Sequence, residues 1–546
     1  MRVEKLPYDV LGVRGIAATL LSDPSAVPGL ILPRNSAEIP EPPERFTLEQ
    51  RDELATALET GLLPLTPPVA VLDAVRQLRQ PGTCVVIAGQ QPGLFASPLY
   101  NIHKALHVVR LARTLSAAWE RPVVAMFWNH GDDHDLAEVN HAFVANENFD
   151  LQKLGLSSLS SGRQPFSRIV LSEAKHRMGA TRATLEDLLR SEPHCAEALD
   201  LFCPREGETL ARAFSRTMTE LFGALGLVVL EPDWIRAGLS GALIDLLADR
   251  EGGPNALEGA VQRGADAIRA VGHVPQIDPS TAAFLYHVDE RGRNALRLGS
   301  GGLQYDGEQG SRTRAELAAL IHQDPSAWAP AALTRVIVQD SCLPVAAYVG
   351  GLGELAYHAQ LLPLRDFAGV PRTPFVPRFA CTLIEPDVEA SLVKLGVSAE
   401  SILRGGGAPT AEDDGPQVPQ VIEVLRGIGA RTAREVASQR EALAELDAAL
   451  AANLKRTGEQ MQALLERICE KAERVHQNKS GRGQRHLRRV ATGLFPRGLP
   501  QERVIGPLVY VARYGRGWIE DLLAHVPAVP REHLLAHMTF ETKESR

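Results

Sequence analysis

Cysteine is scarce and scattered in this chain of 546 residues. There are 6, at Cys84, Cys195, Cys203, Cys342, Cys381 and Cys469, and no two stand in a CxxC spacing. That argues against a zinc knuckle and a disulfide framework, and suits the reduced thiols of a cytoplasmic protein. Long apolar runs are missing as well. The longest candidate, Leu343 to Leu364, is interrupted by Glu354 and His358, so no membrane span is expected. Met1 to Leu21 carries Lys5, Asp9 and Arg14 without a compact apolar stretch, which argues against a secretory signal. Positive charge is not in excess. The net charge is −8, so no global field draws the chain to nucleic acid. The one basic run, Arg482 to Arg489, reads as a solvated helix face, with phosphate binding as the alternative.

What is present is the composition of a folded protein, 45% apolar and 23% charged. The length exceeds one ordinary core, so a large domain with appended modules is expected. Short runs rich in valine and isoleucine, without alternation, occur at Cys84–Ala88, Val123–Trp128, Leu227–Leu230, Arg335–Val338 and Val345–Val349. They read as strands buried on both faces. Between the first two lies a helix, with Ser97 as its expected N-cap, Pro98 at its first position, and Leu99, Ile102, Leu106 and Val109 along one face. A strand, helix, strand unit of this kind implies a right-handed crossover and a parallel sheet. The fold class is therefore α/β.

The expected domains are an N-terminal segment, 1–75, and a core, 76–385, with a mostly helical insertion at about 231–330. The insertion has turns at Gly252–Asn255 and Gly299–Gly302. Residues 386–490 follow as a linker (Gly405 through Pro409, Asp413 and Asp414 to Pro416) and one long helix. In that helix Leu454, Met461, Ile468 and Val475 recur every seven residues, beside a companion stripe of Val436, Leu443, Leu450 and Leu464 broken by Thr457. Such a seam wants a partner helix and predicts a homodimer. The last segment, 491–546, packs back on the core, with Tyr514 and Trp518 to bury.

Ligands of parallel sheets bind beyond the carboxyl ends of the strands, and three polar clusters fall at such places. Gly89, Gln90, Gln91 and Gly93 precede the first helix, whose opening turns carry Tyr100, His103 and Lys104. Glycines allow close approach and a helix start favours an anion, although this is no Walker motif. Directly after Val123–Trp128 come His130, Asp132, Asp133, His134 and Asp135, then Glu138, Asn140 and His141. So many charges in so few residues are costly unless a cation, an amine or a proton transfer engages them. Asp135 could also cap the next helix, with Glu138 completing a capping box. The third cluster joins Gln339 and Asp340, placed after a strand, to Gly350, Gly351 and Glu354, with Arg378 as an anion clamp.

Taken together, AGQQPGLFASPLYNIHKA (88–105), FWNHGDDHDLAEVNH (127–141), VQDSCLPVAAYVGGLGELAYHAQL (338–361), PRFACTLIE (377–385) and LPQERV (499–504) resemble the cysteine ligase family of bacillithiol biosynthesis. The resemblance implies a Rossmann-like parallel-sheet core with helical insertions, a C-terminal coiled coil that dimerises, and transfer of cysteine to the amine of glucosaminyl-malate. Ala88, Ser97, Asp132, Leu352 and His358 stand where the family usually has Thr, Gly, Glu, Pro and Trp. The implied reaction forms an amide, so ATP with Mg2+ is expected from the chemistry rather than from a motif. Under that reading the Gly89–Gly93 loop with His103 and Lys104 holds anionic groups. Asp132, Asp133, His134 and Asp135 orient the amine and supply a base, and Gly350–Glu354 completes the pocket. The alternatives are a metal-dependent hydrolase using His130, Asp132, His134 and His141, and a non-catalytic metabolite-binding coiled-coil protein.

Overall fold

Four of the five apolar runs are strands of one parallel sheet. The computed structural model describes residues 1–156, 162–171, 175–248, 255–299, 302–305, 311–407, 418–479 and 482–539. In it β1 (Cys84–Gln90), β2 (Val123–Asn129), β3 (Val228–Leu230), β4 (Val345–Gly350) and β5 (Phe375–Pro377) lie in the order β5-β4-β1-β2-β3. β1 and β2 pair in register from Cys84 opposite Val123 to Gln90 opposite Asn129. Successive side chains of a strand point to opposite faces. Val86, Ala88, Ala125 and Phe127 accordingly enter one apolar cluster, and Val85, Ile87, Val124, Met126 and Trp128 the other. Burial of each large side chain stabilises by about 1.5–3 kcal/mol, which is why these runs need no polar face.

The fifth run is not a strand. Among the helices are α1 (Tyr100–Trp119), α2 (Arg236–Leu247), α3 (Ala332–Cys342) and α4 (Leu352–Gln360), and Arg335–Val338 lies inside α3. The helix is buried nearly all round, at Leu333, Thr334 and every residue from Val336 to Asp340, so its apolar run carries no visible helical period. Gln339 and Asp340 therefore sit on the last turn of α3, just before β4 begins, at the amino edge of the sheet. Helix α1 also starts later than expected. It begins at Tyr100, the Ser97–Pro98 bond is cis, and Ser97 does not cap the helix.

The insertion holds more than helices. Strands Ala283–Asp289, Gly292–Gly299, Gly302–Tyr305, Ser311–Arg312 and Trp328–Pro330 form a five-stranded antiparallel sheet. A register shift between Ala283 and Leu285 puts Phe284 and Leu285, neighbours in sequence, both in the core. That breaks the alternation by which a strand is recognised. The expected turns at 252–255 and 299–302 fall largely outside the described residues. A third sheet places Glu532–His537 between Arg2–Pro7 and Ala380–Ile384, so both end segments join the core, and Tyr514 and Trp518 are buried.

The chain divides into two units, Met1–Glu385 with Leu499–Arg546, and Pro386–Gly498. The second unit contains α5 (Val418–Ser438), α6 (Ala448–Lys479) and α7 (Arg482–Leu494). The expected single long helix is instead an antiparallel hairpin that turns near Arg440–Ala444. Arg426 of α5 pairs with Glu466 and Glu473 of α6, and the Cα of Gly458 faces Val436, where an added Cβ would sit 3.1 Å from Cγ1. The stripe Val436, Leu443, Leu450 crosses the turn, so it read as continuous in one dimension only. The side chain of Val475 and most of the 405–416 linker lie outside the described residues. The basic run lies on α7, where Arg489 pairs with Asp387.

Candidate active site

The chain runs outward from β1 through β2 to β3 and then returns to β4 on the far side of β1. The strand order thus reverses between β1 and β4, and a crevice opens at such a switch point. Gln90 and Gln91 leave β1 there, and Gly350 and Gly351 leave β4. Lys104 from α1 bridges them. Its Nζ donates to the Gly89 carbonyl at 2.7 Å, to Gln90 Oε1 at 2.8 Å, and to both carboxylate oxygens of Glu354 at 2.9 and 3.0 Å. Burial lowers the Lys104 ammonium from its ordinary range, and Glu354 opposes this. Glu354 also accepts from the Gly351 amide at 2.7 Å, which fixes the start of α4.

On one side of this pair lies the acidic cluster, and its counter-charges come from the insertion. Arg236 of α2 forks onto Asp132, at 2.5 and 3.1 Å. Arg293 donates to Asp133 Oδ1 at 2.8 Å and to His134 Nδ1 at 2.9 Å, with its guanidinium 3.7 Å from the Tyr286 ring centroid. Asp133 also accepts from Gln91 Nε2 and from the His134 amide, both at 2.7 Å. Burial pushes its carboxyl up, but the hydrogen bonds from the His134 amide and Gln91, with the Arg293 charge, outweigh this and hold it well below the usual carboxylate range. Asp135 is exposed and makes no side-chain cap. Asp135 and Glu138 have no arginine or lysine partner among the described residues. Asn140 Oδ1 lies 3.1 Å from His141 Nδ1.

His130 is drawn under the β1 loop. A Cβ on Gly89 would lie 2.5 Å from His130 Nε2, so a larger residue there would displace the imidazole. Burial, with Arg335 and Lys104 nearby, holds the His130 imidazole well below its ordinary value, so it is neutral. At Gly93 a Cβ would meet the Ser97 carbonyl oxygen at 1.8 Å. The Leu99 amide donates to the Ile505 carbonyl at 2.9 Å. The Gly89–Gly93 loop is therefore closed against the protein itself and does not fit a phosphate cradle. His103, on the same helix, donates from Nδ1 to Glu502 at 3.0 Å, and Arg378 donates to Glu502 at 2.9 and 2.5 Å. All three side chains are buried. Gln501 bonds both the amide and the carbonyl of Leu383 at 2.8 Å. The 499–504 stretch is thus a clasp on the core.

On the other side of Lys104 and Glu354 is a cavity of about 480 Å³, lined among others by Tyr8, Arg14, Gly351, Gly353, Arg378 and Arg503. Arg14 and Arg503 are exposed and have no acidic partner among the described residues. Tyr100 lies near, with the Arg378 guanidinium 5.7 Å from its ring centroid. Glu502 also lines this pocket and pairs with Arg378, so Arg14 and Arg503 give it a net positive charge, beside the start of α4 that Glu354 caps.

Three expected site residues are placed elsewhere. Asp340 pairs with Arg365 at 2.7 Å and accepts from Thr373 at 2.6 Å, at the opposite edge of the sheet. Gln339 accepts from Arg335 at 3.1 Å and donates to Asp340 Oδ1 at 2.9 Å. His103 lies behind the cavity wall, bonded to Glu502, and does not itself line the cavity. Among the described residues no three His, Cys, Asp or Glu side chains converge as a metal site would require. His130, Asp132, His134 and His141 do not form a ligand set, because Asp132 faces Arg236 and His130 faces Gly89.

Several residues of the site were not singled out from the sequence. Glu231 follows β3 directly, is buried, and has its carboxyl raised by burial against the pull of Arg212, 3.3 Å away. Its position just after an apolar run was a usable signal. Arg236 and Arg293 carried none.

The comparisons agree with this architecture. Residues 37–379 match the model "Bacillithiol biosynthesis BshC, N-terminal Rossmann-like domain", and residues 381–538 match "Bacillithiol biosynthesis BshC, C-terminal coiled-coil domain". A relative from Koribacter versatilis (strain Ellin345), named "Putative cysteine ligase BshC", is 30% identical over 496 residues, 89% of this chain and 90% of its own. One of the same name from Geobacillus thermodenitrificans (strain NG80-2) is 29% identical over 488 residues, 87% of this chain and 88% of its own. Both domains and nearly the whole length are shared, and the chain belongs to the BshC family of bacillithiol biosynthesis.

Proposed function

We propose that this protein is an amide-forming ligase that joins the carboxyl group of cysteine to the amine of glucosaminyl-malate, giving bacillithiol. The observation that carries this reading is the pairing of two opposed environments at one switch point. An arginine-lined cavity of about 480 Å³ suits the malyl carboxylates. The carboxylates of Asp135 and Glu138, beyond Gln91, suit an ammonium before it loses its proton. Lys104 and Glu354 hold the two loops between them at fixed separation, which is how orientation contributes to a bimolecular reaction.

A free carboxylate does not condense with an amine in water, so ATP with Mg2+ is proposed as co-substrate, supplying the activated acyl group. The Gly89–Gly93 loop, packed against Ser97 and His130, does not fit its phosphates. The test is direct. Purified protein with cysteine, glucosaminyl-malate, ATP and MgCl2 should yield the amide by mass spectrometry, with the nucleotide consumed in equal amount. Absence of product with all four present overturns the reading. Arg503→Gln should raise KM for glucosaminyl-malate and leave kcat nearly unchanged, the pattern of lost ground-state binding.

A homodimer through the helical hairpin is part of the same proposal. Val421, Val424 and Ile428 of α5 are 51%, 56% and 36% exposed, and Met461, Leu464 and Ile468 of α6 are 45%, 55% and 53% exposed. The helices are antiparallel and both stripes lie to the same side of their seam, so they form one apolar face. A second copy of the hairpin would cover it.

A further inference from the structure

Arg293 makes two hydrogen bonds from one nitrogen, to Asp133 and to His134 Nδ1. A guanidinium has only donors. His134 Nδ1 must therefore accept, with its lone pair toward Arg293, and the ring proton must reside on Nε2. Asp133 lies 3.5 Å from the same Nδ1, the place where a carboxylate would normally draw a proton onto it. Arg293 stands in the way. It is itself held on both sides, its side chain being 6% exposed and its guanidinium stacked on Tyr286. The Nε2 atom of His134 makes no hydrogen bond with the described residues, and the side chain is 29% exposed, so its N–H is free for a ligand.

From this we infer that His134 serves the ligase site as a neutral hydrogen-bond donor through Nε2, aimed at a substrate carboxylate or carbonyl oxygen, and not as the base that deprotonates the amine. The inference rests on the ligase reading for the identity of that oxygen, but the tautomer does not. Arg293 is the positioning residue, acting on substrate only through His134. The arrangement reverses the role that the sequence alone assigned to His134. A preorganised donor of this kind stabilises charge that grows on oxygen as a carbonyl is attacked. Asp133, engaged by Arg293, Gln91 and the His134 amide, fixes the other end of the array.

The test uses the full-length protein labelled with 15N-histidine. Long-range proton–nitrogen correlation spectra, with the His134 signals assigned by their loss in His134→Gln, should show Nε2 protonated and Nδ1 bare at neutral pH. Arg293→Met should shift the ring toward the Nδ1-protonated form, now facing Asp133. An imidazolium, or an Nδ1-protonated ring in the wild-type protein, overturns the inference. In turnover, His134→Ala should lower kcat by roughly 10²–10³-fold, as loss of such a donor does. His134→Gln, which keeps a donor but has no basic nitrogen, should recover much of that loss, and a glutamine variant as inactive as alanine counts against the donor role. If the tautomer is as stated and no amide forms from cysteine and glucosaminyl-malate, the ligase reading fails and the tautomer stands.

Discussion

Lys104 and Glu354 meet across the switch point, Nζ to carboxylate at 2.9 and 3.0 Å, although 250 residues separate them in the chain. The lysine side chain is 3% exposed and the glutamate 18%, so the pair is largely out of water. Removing one member of a buried pair leaves the other uncompensated, at about 3–5 kcal/mol. The glutamate can partly rehydrate, and the lysine cannot. Glu354→Gln should therefore destabilise more than Lys104→Met in chemical denaturation. Both should reduce ligation strongly, since both loops are released. Equal stability of either variant with the wild type would show that the pair does not hold the loops.

The acidic cluster makes a different demand. Asp133 accepts from Gln91, Arg293 and the His134 amide, so Asp133→Asn leaves Arg293 without its charge partner. A loss of about 1–3 kcal/mol is expected, along with most of the activity. His134→Ala, by contrast, should move the melting temperature by no more than a few degrees. A stable, active Asp133→Asn protein would make the cluster dispensable.

Two buried imidazoles set an acid limit. His107, which donates to the Ala528 carbonyl at 2.9 Å, and His533, beside Thr382, are both pushed down by burial to about 4. The unfolded chain binds these protons from about pH 6.5, so stability is lost as pH falls from there toward 4. When fully developed, each contributes on the order of 3 kcal/mol. Burial raises the Glu502 carboxyl, but Arg378 and His103 outweigh it and hold it well below its ordinary range. Its stabilisation is present above the unfolded value and is lost below it, which adds a second, more acidic loss. Melting temperature measured from pH 7.5 to 4.5 at constant ionic strength should fall steadily, and a flat profile down to pH 5 contradicts the assignment.

Assembly is read by light scattering. At micromolar concentration the mass should be twice 59.2 kDa. Met461→Glu combined with Ile468→Glu places charges on the exposed apolar face and should yield monomer with helix content unchanged. A wild-type monomer removes the dimer from the proposal.

The parallel core was legible because its strands are buried on both faces, so Cys84–Ala88 and Val123–Trp128 stand out as apolar runs between glycines and polar clusters. The insertion was not, since the register shift beside Phe284 erased the alternation that marks a strand. Arg335–Val338 read as a strand because three β-branched residues in a row fit either period. The hairpin read as one helix because a heptad pattern says nothing about where a helix reverses.

By itself the sequence determined which polar groups gather at the carboxyl edge, because a residue following a buried parallel strand can emerge only there. Glu354, Gln91, Asp133 and His134 were placed in this way. Only the tertiary structure decided what each group does, because charge and proton position depend on partners that are distant in sequence. Arg236 and Arg293 lie 104 and 160 residues beyond the carboxylates they neutralise. Glu502, which lines the cavity, holds His103, 399 residues before it, behind the wall. The proton on His134 sits where a guanidinium from another sheet allows it.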